Sequence, residues 1–438
     1  MKKLPVISLF SGALGLDLGI EKAGFEVRVA VECDKDAANT IRANRPKLPL
    51  INKRIEDVST EEILQLAGLK PGEACLVVGG PSCQAFSTAG SRNSFSDTNK
   101  RGTLFRHFLR VVKEVNPQFF VMENVKGILS AAIKHRPLKE RGPSFPPLTW
   151  EEQLGSAFTV IAQELSELGG NVTFDLLNSA DYGVPQKRER VIFIGSLDAR
   201  KVSMPNPTHS KDSSDGRLPW VDLRSAFTEI RAPHDHYNCN EAVQKYLAMI
   251  PSGGNWRSLP PEIQEEAVGK GVYRSWGGRT GFLRRLSWNA PSPALTTSPL
   301  CKATFFGHPE ELRPLSIQEY ARIQQFPDDW IFIGSKSSRY RQIGNAVPVG
   351  LGKAIGESIK KSLADNQKVA KFNKVTCRNQ ELIKRLEKRK VTYFNPPDML
   401  GITCPLMAED WIIESKEWLK DKESPSLDLF TFLEFEPS

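Results

Sequence analysis

The 438 residues carry 40% hydrophobic and 25% charged side chains, an ordinary globular balance that predicts two or three domains. The formal charge of +8 suits a polyanionic partner without demanding one. No apolar stretch is long enough to cross a bilayer. The start, Met1-Lys2-Lys3-Leu4-Pro5, lacks the apolar core of a secretion signal, so a cytoplasmic protein without membrane contact is expected.

Pro5–Phe10 predicts a strand, followed by a glycine-rich turn and a helix over Leu16–Ala23. A second strand, Val27–Glu32, leads into a helix over Ala37–Asn44. Leu76–Val78 and Phe119–Met122 predict further strands, the latter preceded by the amphipathic Leu104–Val115. This alternation predicts an α/β fold built on a parallel sheet with helices on both faces. Leu129–Thr149 is basic and proline-rich and reads as an exposed insertion. A helix over Phe158–Leu168 and two strands, Val172–Leu177 and Arg190–Ile194, follow. After Ser196 the βα rhythm stops, and residues 197–312 are rich in Pro, Gly, Ser and Trp; the shift marks a second domain. Helical periodicity returns in Ser316–Gln325 and in Pro348–Leu363, where Gly350, Gly352 and Gly356 would allow close packing. The extension 364–438 carries a basic amphipathic segment, Gln380–Lys390, and predicts an accessory helix with a partly ordered end.

Chemistry concentrates at strand ends, where ligands gather in open α/β sheets. In Leu9-Phe10-Ser11-Gly12-Ala13-Leu14-Gly15, glycine lets the backbone approach a ligand as the first helix begins. Glu32 ends the second strand twenty residues after Gly12, where a carboxylate can accept from ribose hydroxyls. The spacing suits an adenosine-containing cofactor, and the lack of G-x-G-x-x-G excludes the NAD fingerprint. The run Cys75–Val78 breaks at Gly79-Gly80-Pro81 and presents Cys83 on the loop beyond. Glu123 ends another strand, and Gln186, Arg188 and Arg190 alternate on an extended segment, so they share one side. Seven cysteines (33, 75, 83, 239, 301, 377 and 404) form no C-x-x-C pair, which predicts free thiols. His234 and His236 stand in Pro233-His-Asp-His-Tyr237 with no companion ligands at metal spacing, so no metal is expected.

Together these segments resemble the cytosine-C5 DNA methyltransferase family, in that family's order. Leu9–Gly15 is similar to its first motif, Gly79–Ser87 to its catalytic-cysteine loop, Glu123-Asn124-Val125 to ENV and Gln186–Arg190 to QxRxR. Arg313-Pro314-Leu315-Ser316 through Gln325-Phe326-Pro327 resembles the late motif, and Gln342–Pro348 the last one. The sequence departs from the family pattern at Ser82, where a second proline is usual, and at Leu14, where a second glycine is usual.

The resemblance implies a Rossmann-like S-adenosylmethionine methyltransferase sheet plus a smaller, irregular target-recognition domain. It implies a catalytic and cofactor domain over 1–200, target recognition over 201–312, a supporting segment over 313–363 returning to the catalytic domain, and the extension 364–438. The implied reaction transfers methyl from S-adenosyl-L-methionine to C5 of a flipped-out cytosine, leaving S-adenosyl-L-homocysteine, as the modification enzyme of a restriction-modification or other DNA-defence system. Cys83 would add to C6, Glu123 would act at N3, Arg190 would hold O2, Arg188 would steady the catalytic loop, and Asn124 would support Glu123 and the cysteine loop. The cofactor would lie against Phe10, Ser11, Gly12, Gly15, Glu32, Cys33, Asp57, Val58, Pro81, Asn345, Ala346 and Val347. Duplex DNA would meet Gln84, Ser87, Arg92 and Arg101 around the cysteine loop, of which Thr88–Gly102 would be a closing lid. In the second domain it would meet Arg274, Arg279, Arg284 and Arg285. A monomer is expected, with restriction or defence components as its partners. A tRNA-methylating branch and a catalytically silent DNA-binding relative are the competing readings; the length of 197–312 and the joint presence of Cys83, Glu123, Arg188 and Arg190 weigh against them.

Overall fold

The computed structural model describes residues 3–81, 104–137, 140–198, 200–213, 216–228, 230, 235–274, 280–365, 374–379 and 382. Eight strands form one sheet, in the order β12-β6-β8-β5-β4-β1-β2-β3. These are β1 (Leu4–Leu9), β2 (Phe25–Val31), β3 (Leu50–Ile51), β4 (Leu76–Gly79), β5 (Phe119–Val125), β6 (Asn171–Asn178), β8 (Glu189–Ser196) and β12 (Lys374–Cys377). Two-residue strands β7 (Gln186–Lys187) and β11 (Ser292–Pro293) pair with each other, as do β9 (His209–Ser210) and β10 (Leu218–Pro219).

Within the large sheet β8 runs antiparallel to both β5 and β6, whereas the other described pairings are parallel. The sequence predicts a parallel sheet and leaves the direction of β8 open. The difference has a topological cause: the link 179–188 holds a 3-10 turn at Ser179–Tyr182 and β7, with no crossover helix to reverse the chain, so the next strand returns antiparallel.

Successive residues of the inner strands face opposite sides, and both sides are apolar. Val77, Phe120 and Met122 join the core beneath α3 (Thr60–Ala67), α4 (Leu104–Val115) and α5 (Ser156–Ser166); Val78, Phe119 and Val121 join the core beneath α1 (Gly15–Lys22) and α12 (Val349–Asp365). A third cluster joins Leu14 and Leu18 to α2 (Lys35–Asn44), α10 (Ile317–Ile323) and α11 (Lys336–Asn345). Short helices α6 (Leu223–Ala226), α7 (Glu241–Met249), α8 (Pro261–Val268) and α9 (Lys270–Tyr273) lie in the region between β10 and α10, where Ile250, Trp256 and Leu259 form a separate small core.

Helices α1 and α12 meet through small residues spaced four apart, which places them on one face of each helix. A Cβ on Gly19 would lie 2.5 Å from the Lys353 N and 2.6 Å from the Gly352 carbonyl carbon; one on Gly352 would lie 2.7 Å from the Leu16 oxygen. The backbones therefore touch directly, and α12 brings the segment before it against the first loop.

The first turn of α1 holds an acid that its surroundings do not welcome. Asp17 is 2% exposed, and its Oδ1 has no hydrogen-bond partner among the described residues. Burial pushes its carboxyl up to about 7, with the Ser8 side chain opposing that rise. The folded value exceeds the unfolded one, so the native state holds this proton more tightly, and the stability it provides is lost as pH rises from about 4 towards 7. Asp17→Asn is accordingly expected to stabilise the protein at pH 8 by up to about 4 kcal/mol, with under half that gain at pH 5. Urea unfolding at the two pH values checks this, and a gain independent of pH would disprove the cause.

The extension contributes the edge strand β12, parallel to β6, which the sequence does not predict; Gln380–Lys390, the basic amphipathic segment, lies outside the described residues except for the helical Leu382. In the insertion after β5, Arg136 pairs with Glu152 and donates to the Pro146 and Pro147 carbonyls, while 142–147 stays exposed. No helix among the described residues is long and apolar enough to cross a membrane.

Candidate active site

The loop from β1 to α1 makes a left-handed path, with φ of 54° at Phe10, 53° at Gly12 and 67° at Leu14. A Cβ built on Gly12 meets nothing within 4 Å, so this backbone borders open space. Gly12 N donates to Glu32 Oε2 and Asp34 N to Glu32 Oε1, both at 2.7 Å. Burial pushes the Glu32 carboxyl up, and these two amides pull it down. Leu14 adopts a conformation that favours glycine and costs a non-glycine residue about 1–2 kcal/mol. Its side chain is 2% exposed in the third cluster, and burying a leucine returns about 1.5–3 kcal/mol. Packing under α10 and α11 thus offsets the backbone strain at this departure from the family pattern.

The remaining cofactor candidates differ in exposure. Ser11 is buried and its Oγ lies 2.8 Å from Ser8 Oγ. Cys33 and Asp57 are exposed and Val58 is buried. Asn345 is exposed at the end of α11, followed by Ala346 and Val347; a Cβ on Gly15 would run into the Val347 carbonyl and lie 3.0 Å from Ala346 Cβ. Gly15 is the residue that lets the last motif close on the first. The open backbone at Gly12 and the buried carboxylate beside it fit a ribose and an amino-acid moiety, as an S-adenosyl donor requires.

The neighbouring strand ends carry the reactive groups. On β5 and β8, Val125 pairs with Arg190, which puts Glu123 and Arg190 on one face as diagonal neighbours. Arg190 Nε lies 2.8 Å from Glu123 Oε1, with both side chains mostly buried. Burial pushes the Arg190 guanidinium down and Glu123 pushes it up; an arginine stays charged regardless. Asn124 Nδ2 donates to the Pro81 carbonyl at 3.1 Å, tying β5 to the chain that leads into the cysteine loop. A Cβ on Gly80 would sit 2.9 Å from Glu123 Oε2, so Gly80 leaves room for that carboxylate. Sequence reading had treated Gly80 only as a strand breaker. Cys83, Gln84, Ser87, Arg92 and Arg101, Ser82, and the Thr88–Gly102 segment all lie outside the described residues.

Arg188 makes contacts that the resemblance does not mention, and the catalytic loop it was expected to steady lies outside the described residues. Its side chain is buried, donating from Nη1 to the Leu295 carbonyl at 3.0 Å and from Nη2 to the Gly344 carbonyl at 2.7 Å. It braces two distant segments against β8, whatever its relation to the catalytic loop. Beside it, Gln186 Oε1 accepts from Leu295 N at 2.9 Å and Gln186 Nε2 donates to Gln324 Oε1 at 3.0 Å. Gln324 Nε2 in turn donates to the Ile343 and Ala346 carbonyls at 2.7 and 3.1 Å. Gln324 was quoted in a motif but given no role; its burial beside an arginine-rich strand needs the tertiary fold to be seen.

The arginines proposed to meet DNA divide. Arg274 is exposed at the end of α9. Arg284 lies over the Phe306 ring, 5.1 Å from its centroid. Arg285 is buried and donates to the carbonyls of Leu247, Ile250 and His308; its guanidinium is committed to these internal bonds. Arg279 lies outside the described residues. Arg313 is likewise internal, bidentate to Glu319 at 2.8 and 2.9 Å, and α10 starts with a Ser316–Glu319 capping box.

A mixed sheet with a glycine turn after its first strand and an acid after its second is the Rossmann-like arrangement of the S-adenosylmethionine methyltransferase class. The family described as C-5 cytosine-specific DNA methylase matches residues 4–361, and the chain belongs to it. The chain is 37% identical to the type II methyltransferase M.Sau96I of Staphylococcus aureus over 82% of its own length and 76% of that protein's. It is 38% identical to M.Eco47II of Escherichia coli, over 81% of its own length and 78% of that protein's. A solved prophage-encoded protein of E. coli, described as a DNA modification methyltransferase, is 26% identical with a TM-score of 0.55, covering 83% of this chain and 100% of that one. Entamoeba histolytica methyltransferase EhMeth, 16% identical with a TM-score of 0.51 over 83% of this chain and 99% of its own, shares the fold. The protein is a DNA cytosine-C5 methyltransferase.

Proposed function

We propose that Cys83 forms the transient bond to C6 of a cytosine flipped out of duplex DNA, with Glu123, Asn124, Arg188 and Arg190 completing the catalytic set. The observation that carries this is the Glu123–Arg190 pair at 2.8 Å beside the Asn124–Pro81 bond that anchors the start of the Cys83 loop. A base inside a duplex hides C6, so extrusion must precede attack. With the ring in place, Arg190 donates to O2 and Glu123 supplies the proton or hydrogen bond at N3. The Cys83 thiolate adds to C6 as that proton moves to N3, leaving C5 an enamine carbon rich in electrons. Such acid assistance is worth about 10²–10⁴-fold. S-adenosylmethionine supplies the electrophilic methyl group when bound. Loss of the C5 proton and departure of Cys83 from C6 then restore the ring.

The residues that would hold the donor are Phe10, Ser11, Gly12, Gly15, Glu32, Cys33, Asp57, Val58, Pro81 and Asn345–Val347. Residues 201–312 would read the DNA sequence, with Arg274 and, from the cysteine loop, Gln84, Ser87, Arg92 and Arg101 meeting the duplex. Residues 313–363 would support them and return to the catalytic domain of 1–200. The names of the relatives support a type II modification enzyme; action as a monomer in the cytoplasm, beside a cognate restriction or defence component, is part of the same proposal.

Trapping tests the reading. On duplex DNA synthesised with 5-fluorocytosine, C5 has no proton to lose, and an SDS-stable enzyme–DNA complex is expected only when S-adenosylmethionine is present. Absence of that adduct, with methyl transfer to ordinary DNA intact, would overturn the covalent route.

A further inference from the structure

We propose that residues 374–379, beyond the stretch shared with the family, form a strap that fixes the root of the recognition region, with Arg378 as its positioning residue. The proposal rests on the reading of 201–312 as the DNA-reading part.

The strap is built into the sheet. Strand β12 extends β6 in parallel register, Val375 opposite Val172 and Cys377 opposite Phe174. Thr376 Oγ1 lies 3.1 Å from Thr173 Oγ1, and Val375 and Leu382 are buried in the core that contains Phe158 and Phe174. Covering the β6 edge explains the strand, but it does not explain the residue that follows. Arg378 Nη1 donates to the carbonyls of Met204 and Pro205 at 3.0 and 2.9 Å, and Nη2 donates to Asn206 Oδ1 at 3.0 Å. Its own amide donates to the Phe174 carbonyl at 3.3 Å. Asp175, mostly buried, faces the Arg378 charge.

Residues 204–206 are where the chain leaves the catalytic sheet, after β8 ends at Ser196 and before β9 begins at His209. The root is gripped from several sides. Tyr182 donates to the same Pro205 carbonyl at 3.1 Å, Ser203 N donates to Ser362 Oγ of α12 at 3.2 Å, and beyond the root Trp220 Nε1 donates to Asp181 Oδ1 at 2.8 Å. A rigid guanidinium fork on successive acceptors fixes both the position and the direction of a segment, which a single ammonium cannot do. Glu123, Asn124 and Arg190 sit on β5 and β8 and make none of these contacts. The strap therefore sets how the recognition region meets DNA without altering the chemistry.

The test compares steady-state kinetics of the full-length wild type with Arg378→Gln and Arg378→Lys on one duplex carrying the methylated site, mapped beforehand by bisulfite sequencing. Arg378→Gln is expected to raise KM for DNA about tenfold, leaving kcat and KM for S-adenosylmethionine within about twofold. Arg378→Lys should recover only part of this, and the salt dependence of DNA binding should keep its slope. An unchanged KM for DNA, an equal loss in kcat, or weakened donor binding from general unfolding would each overturn the strap. Full rescue by lysine with a shallower salt slope would overturn it too, in favour of a direct phosphate contact. Arg274→Glu separates the two readings: if KM for DNA responds to Arg274 and not to Arg378, only the strap fails, and if it responds to neither, the recognition reading fails as well.

Discussion

Exchanging Cys83 for alanine is expected to lower methyl transfer by about 10⁴-fold or more, while S-adenosylmethionine binding stays within about twofold. The size follows from the substrate: C5 of cytosine is not nucleophilic until a group adds at C6, so removing the adding group removes the route. Four of the described thiols are poor substitutes, with burial also pushing the exposed Cys33 up. Burial pushes Cys75 and Cys377 up to about 12 and Cys239 up to about 11, which keeps each in its unreactive thiol form at neutral pH. Radiolabelled methyl transfer and calorimetric donor binding check the two halves separately. Activity near that of the wild type would reject the nucleophile.

Gly19→Ala is expected to destabilise the protein by about 3 kcal/mol and to weaken donor binding. Alanine is the better helix former by about 1 kcal/mol, so an isolated helix would gain. Here the added methyl meets backbone atoms of α12, 2.5 Å and 2.6 Å away at Lys353 N and the Gly352 carbonyl carbon, and a backbone cannot rotate aside as a side chain can. The helices must separate, carrying Ala346 and Val347 off the loop that Gly15 borders. Thermal unfolding and the donor Kd measure both effects; an unchanged or raised Tm would show that the helix contact yields at no cost.

Much of this was readable before the fold was known, because the signals are local. The α4 span Leu104–Val115 came from its amphipathic pattern, and the acid at 32 from its spacing to Gly12. Strand β8 was legible as a strand but not in direction, since direction depends on the link that precedes it. Strand β12 was missed because four residues carry too little pattern; its burial comes from β6 and not from its own sequence. Arg285 looked like a DNA contact because charge is visible in sequence and burial is not. The bracing by Arg188, and the Gln186–Gln324 bond across 138 positions, belong to the tertiary fold alone.

The direct backbone contact between α1 and α12 has a consequence for biosynthesis. The first helix cannot acquire its seat until the ribosome has delivered residues near 350, so the donor-binding loop stays incomplete through most of translation. A nascent or prematurely terminated chain lacking α12 would thus be unable to modify DNA even though its cysteine loop and both catalytic strands had already emerged.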